Sequence, residues 1–86
     1  MNINYDLKKW SKNFVINTNR IRKFNSLSMQ GMADVTGLSE NTIRRIATAR
    51  YTRFGRGEQG YIPSLKTVVK VAEASGVSID TLLTTE

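Results

Sequence analysis

What limits this chain most is the spacing of its apolar residues, which along most of its length recur in steps of three, four and seven. Such steps return a side chain to the same side of an α-helix, so each run buries one face and wets the other. Leu7, Trp10, Phe14, Ile21 and Phe24 mark out a first helix, which Asp6 is placed to cap. Its middle, Asn17, Thr18 and Asn19, is a poor helix former, so the run reads as one long helix or as one loosened or broken there. Near Asn25 it ends. Ser28 then offers an N-cap for a short helix, MQGMADVT, with Met32, Ala33 and Val35 facing inward and Gly37 as its stop.

Ser39 caps the next helix, ENTIRRIATA, which buries Ile43, Ile46 and Ala47 and turns Glu40, Asn41, Arg44 and Arg45 outward. After a turn-rich segment, Pro63 suits a first helical position, Leu65, Val68, Val69 and Ala72 continue the inward stripe, and Gly76 closes it. Ser78 caps a last short helix. Its Ile79, Leu82 and Leu83 are more apolar than a terminal turn needs, which makes Leu82 and Leu83 candidates for a contact between subunits. The expected fold is all-α, compact, with five helices in one domain spanning 1–86 and with 1–13 extending the first helix toward the N-terminus.

The chain has 86 residues, enough for one small domain that buries roughly 60% of its unfolded surface. It contains neither Cys nor His, which removes disulfides, the usual zinc ligand sets, the thiol nucleophile and the commonest general base near neutral pH. No paired carboxylates or nucleophile with a base stand out, so neither an enzyme nor a metal or cofactor site is expected. No run approaches the ~20 apolar residues that span a bilayer, so a soluble, cytoplasmic protein without membrane contact is the expectation.

The net charge of +6 favours an anionic partner, and it is unevenly placed. Lys8, Lys9, Lys12, Arg20, Arg22 and Lys23 face the single acid Asp6 within residues 1–27, and Arg50, Arg53 and Arg56 face Glu58 within 50–62. The remainder carries no basic excess. The loop 50–62 also contains GRGEQG, whose G-x-G-x-x-G spacing cradles pyrophosphate in dinucleotide-binding proteins. That chemistry needs a strand before the glycines, a helix starting on them and a βαβ unit around them, and here a helix precedes and Pro63 delays the next. Three Arg among Gly, Tyr and Phe suit instead an arm that tracks phosphates or enters a minor groove. A short hairpin between 51–54 and 60–62, or a solvated connector, are the other readings.

The exposed side of the third helix carries groups suited to the edges of bases. Asn41 can pair bidentately with adenine, Arg45 one turn on can reach O6 and N7 of guanine, Glu40 can accept from cytosine, and Arg44 lies beside them. The competing reading is an exposed Glu40–Arg44 pair with Asn41 and Arg45 merely solvated, such a pair being worth ~0.2–0.5 kcal/mol. Ser28, Ser39 and Thr42, near helix N-termini, are candidates for phosphate contact, although capping alone accounts for the two serines equally well.

SMQGMADVTGLSENTIRRI, with Gly37 at its turn, and AEASGVSIDTLL near the end together resemble the lambda-repressor-like helix-turn-helix family of the Cro and Xre type. The resemblance runs from about Phe14 to Leu83. It implies five helices, a helix-turn-helix at 28–49 whose second helix lies in the major groove, and a homodimer on a two-fold operator in double-stranded DNA, while the loop after that helix is longer here than the family's. The chain departs from that pattern in several places. Met29 stands where the family commonly has a phosphate-binding Gln, and Gly31 where it commonly has Glu. Arg22 matches a family Arg whose Glu partner is here Ala47, which releases it to bind phosphate or to pair with a carboxylate such as Asp34. Ala49 replaces the Gly that ends the recognition helix, which lets that helix run on toward Tyr51.

The resemblance thus implies a sequence-specific transcriptional regulator, a small phage-type or mobile-element repressor. The alternative is an antitoxin or other interaction module that occupies a protein partner, for which 1–13, with Ile3, Tyr5, Leu7 and Trp10, is the candidate segment.

Overall fold

A computed structural model describes residues 7–49 and 60–84. Those residues form α1 (Leu7–Phe24), α2 (Met29–Thr36), α3 (Glu40–Thr48), α4 (Leu65–Ser75) and α5 (Ile79–Leu83), with no strand among them. None of the helices is long and apolar enough to cross a membrane. α1 packs against α3, α4 and α5, while α2 packs on α3 and α4, so the core lies where α1 meets the rest. Phe14, Met32, Ile43, Ile46, Val71 and Leu82 fill it, each almost wholly removed from solvent.

α1 passes unbroken through Asn17, Thr18 and Asn19, the first of the two readings the sequence left open. Carboxamides on this helix act as ties to its neighbours. Asn13 Nδ2 donates to Leu83 O at 2.9 Å, and Asn17 Nδ2 lies 3.1, 3.0 and 2.7 Å from the carbonyls of Thr81, Leu82 and Thr84. Asn19 Nδ2 reaches Ile46 O at 3.3 Å. The last carbonyls of a helix have no partner within it, and these side chains supply one for α5 and for α3. A net ~0.5–1.5 kcal/mol for a typical hydrogen bond outweighs a propensity penalty of a few tenths of a kcal/mol per residue.

Serine starts four of the helices. Ser28, Ser39, Ser64 and Ser78 each accept a bond from the backbone N–H three residues on, and in the last three cases that residue is a Thr whose hydroxyl also meets the serine at 2.8–3.1 Å. Ser64 displaces Pro63 from its expected place. Pro63 lies one residue before the cap, and α4 begins at Leu65. Gly37 and Gly76 end α2 and α4 in the left-handed conformation, as expected of them. Asp6 lies outside the described residues.

Several apolar residues are placed differently from the sequence expectation. α4 buries Thr67, Val68, Val71 and Ala72, a stripe rotated from the expected one, which leaves Leu65 73% exposed in the first turn. In α2 the inward position falls to Thr36, whose Oγ1 donates to Met32 O at 2.7 Å and so loses its polarity to the helix, while Val35 faces out. Phe24 is on the expected face of α1 but in its last turn, where the chain has already turned away, and it is exposed. α3 stops at Thr48 rather than running toward Tyr51, because Ala49 takes extended angles and Asn19 closes the last turn from outside.

The turn between α1 and α2 holds Ser26 at φ 54°. Leu27 N donates to Arg22 O and Ser26 N to Lys23 O, both at 3.0 Å, which is the Schellman arrangement with serine where glycine is usual. Ser26→Gly removes the steric cost of a left-handed Cβ, and the entropy glycine adds to the unfolded chain recovers part of that gain. We expect a net stabilisation of about 0.5–1 kcal/mol, read as a higher urea midpoint with an unchanged slope.

Candidate nucleic-acid interface

α3 is anchored by Ile43 and Ile46 in the core, so its register in the molecule fixes which side chains face solvent. Asn41, Arg44, Arg45 and Thr48 are exposed on one side, spaced by three and four residues. Glu40 is half-buried and pairs with Arg44 at 3.2 Å, the i, i+4 pair that the sequence offered as the competing reading. Arg44 is exposed and Glu40 partly so, so the pair adds little stability, but it turns the two side chains toward each other. Asn41 has no side-chain partner among the described residues. Arg45 is held from a different direction: its guanidinium lies over the ring of Tyr61, 5.4 Å from the centroid.

Tyr61 is buried and immediately precedes Ile62 and Pro63, on the far side of the loop from α3. With Gly60 and Thr48 it forms a small cleft under Arg45. A cation over an aromatic face within ~6 Å is attracted by the ring quadrupole, so Arg45 keeps its charge in water while its rotamers are restricted. Neither Tyr61 nor Thr48 was a sequence candidate. Periodicity did not mark Tyr61 because it lies outside any helix, and an aromatic at the end of a Gly-rich loop was the one available signal.

Comparison with known proteins finds no matching family model, no matching curated protein and no matching solved structure. The interface therefore rests on residue chemistry. Ser28 Oγ accepts from Gly31 N at 3.0 Å and Ser39 Oγ from Thr42 N at 3.1 Å, so the acceptor side of each hydroxyl is committed to capping. Thr42 is half-buried and its hydroxyl meets that of Ser39. What the two helix starts offer to an anion is the positive end of a helix with its first backbone N–H groups, and at Ser28 an O–H that capping leaves able to donate.

Two expected assignments change. Arg22 is half-buried and donates from Nη1 to Leu27 O at 3.1 Å, while its Nε is buried with no partner among the described residues. Its guanidinium braces the α1–α2 turn, and Asp34 is bonded to Gln30 rather than to Arg22. Leu82 is fully buried in the core of its own chain, which removes it as a contact between subunits; Leu83 is half-buried beside Trp10. Arg50, Arg53 and Arg56 lie outside the described residues, as does GRGEQG apart from Gly60.

A Cβ at Gly31 would sit 3.4 Å from Leu27 Cδ2 and from Ser28 Oγ, an ordinary van der Waals contact, so packing does not explain the glycine.

Proposed function

We propose that this chain is a sequence-specific double-stranded DNA-binding protein of the lambda-repressor-like helix-turn-helix type, acting as a transcriptional repressor. In this reading α3 enters the major groove. The observation that supports it most is the pairing, on the exposed side of a firmly anchored short helix, of Asn41 with an Arg45 braced one turn away on Tyr61. Amide and guanidinium groups at that spacing match adjacent purine edges, and a bracing ring reduces the entropy lost when the arginine commits to a base. The N-termini of α2 and α3 supply backbone N–H groups for flanking phosphates. Two copies on a two-fold operator would place their α3 helices about one DNA turn apart.

Selection of bound sequences from a random duplex pool tests the proposal. A recovered consensus with guanine and adenine at neighbouring positions of each half-site supports it, and recovery of unrelated sequences overturns it.

The brace gives a separate prediction. Tyr61→Leu removes the ring face and should weaken cognate binding about two- to fivefold, the equivalent of the ~0.5–1 kcal/mol of an exposed cation–π contact, without changing affinity for random duplex. Tyr61→Phe keeps the ring and should stay closer to the parent than Tyr61→Leu does. Parallel titrations of the two duplexes with all three proteins supply the check.

A further inference from the structure

Of the basic residues on α1, Arg22 is bonded at the α1–α2 turn, whereas Lys8, Lys9, Lys12, Arg20 and Lys23 are all exposed. At 3.6 residues per turn these positions fall within about 120° of the helix circumference and along about 22 Å of its axis. The helix contains no Asp or Glu. The side chains of Lys12, Arg20 and Lys23 make no hydrogen bond or ion pair among the described residues, and of the acids on neighbouring helices Glu40 is engaged by Arg44 and Asp34 by Gln30. The face is also held in place. Asn13 and Asn17 tie α1 to the end of α5, and Asn19, on the same side as Lys12 and Lys23, reaches Ile46 O in the last turn of α3. The basic face thus adjoins the C-terminal end of the helix assigned above to the major groove.

We propose that the outer face of α1 is a second DNA contact, one that holds the phosphates of a duplex and reads no bases. It rests on the DNA-binding reading for its partner, and adds to that reading a surface that shares no residue with Asn41, Arg44 and Arg45. A duplex carries about one negative charge per 1.7 Å of its axis, so a fixed row of cations meets phosphates along its length whatever the sequence. Lysine, which predominates in the row, suits this task. Its ammonium is a point charge on a flexible stem and needs no planar partner, whereas base recognition favours the arginine fork found on α3. An anionic bilayer also presents many phosphates, but a helix that lies on one sinks an apolar face among the headgroups. α1 has its apolar face in the core, where Phe14 and Val15 are buried, and Phe24 is its one large apolar side chain in full exposure among the described residues. Duplex DNA therefore fits this face better than lipid does.

Affinity of the whole chain for a random-sequence duplex, measured across a salt series, tests the inference. Lys12→Gln combined with Lys23→Gln takes two charges from the face, and Lys66→Glu lowers the net charge by the same amount on α4. All three sites are exposed, so both variants should keep the parent's helical circular dichroism. The double variant should reduce the slope of log affinity against log salt by about 1.8, from ~0.9 per lost phosphate contact, and Lys66→Glu should leave the slope nearly as in the parent. An unchanged slope in the double variant overturns the inference. So does an equal loss in both variants, because net charge alone would then account for the binding, and so does a parent that binds vesicles of phosphatidylserine and phosphatidylcholine but not the duplex. The reading of α3 is scored separately, by selection from the random pool. A recovered consensus together with an unchanged slope in the double variant removes this inference alone, and a reduced slope without a consensus removes base reading and leaves this contact standing.

Discussion

Leu82→Glu should unfold the chain, not merely separate two subunits. Leu82 has no exposed surface, and it joins Phe14, Met32, Ile43, Ile46 and Val71 at the centre of the fold. Truncating a buried leucine to alanine costs ~2–5 kcal/mol, and a buried, unpaired carboxylate costs more. Domains have only about 0.05–0.15 kcal/mol of stability per residue, so a chain of 86 residues has little left after either change. Circular dichroism should show loss of helix for Leu82→Glu and a strongly lowered midpoint for Leu82→Ala. A folded Leu82→Glu monomer would mean that α5 is dispensable and that the packing described for it is wrong.

The second large effect concerns binding. Asn41→Ala and Arg45→Ala should each reduce affinity for the selected site by ~1–3 kcal/mol, roughly five- to 150-fold, and leave binding to random duplex nearly unchanged. Both side chains are exposed, so neither change should lower stability by more than ~0.5 kcal/mol. Titration against selected and random duplexes, with a melt of each variant, separates the two quantities. Equal losses on both duplexes would show that these residues touch the backbone and carry no sequence information.

Much of the fold could be read from local signals. Ser28, Ser39 and Ser78 were recognisable as caps and Gly37 and Gly76 as stops because those roles depend on a few neighbouring atoms, and Phe14, Met32, Ile43 and Ile46 followed from helical period. What escaped depends on partners distant in sequence. Asn17 looked unfavourable to its own helix because its use lies 64 to 67 residues away, at the end of α5. Thr36 and Thr67 are buried although polar, Thr36 because its hydroxyl is satisfied by its own helix and Thr67 because its hydroxyl meets that of Ser64. The outward groups of α3 were legible once its inward ones were known. The brace under Arg45 was not, since Tyr61 reaches it across a segment without helical period.

The ties from α1 set how the molecule responds to ionic strength. Asn13, Asn17 and Asn19 hold the ends of α5 and α3 through neutral amides and carbonyls, and mobile ions screen little of an attraction between groups without net charge. Contacts between arginine and phosphate behave oppositely, because each one releases condensed counterions and weakens steeply as salt is added. Adding salt would therefore loosen the grip of such a protein on DNA while leaving α3 seated in its frame, so that the chain that dissociates is still folded and ready to bind again.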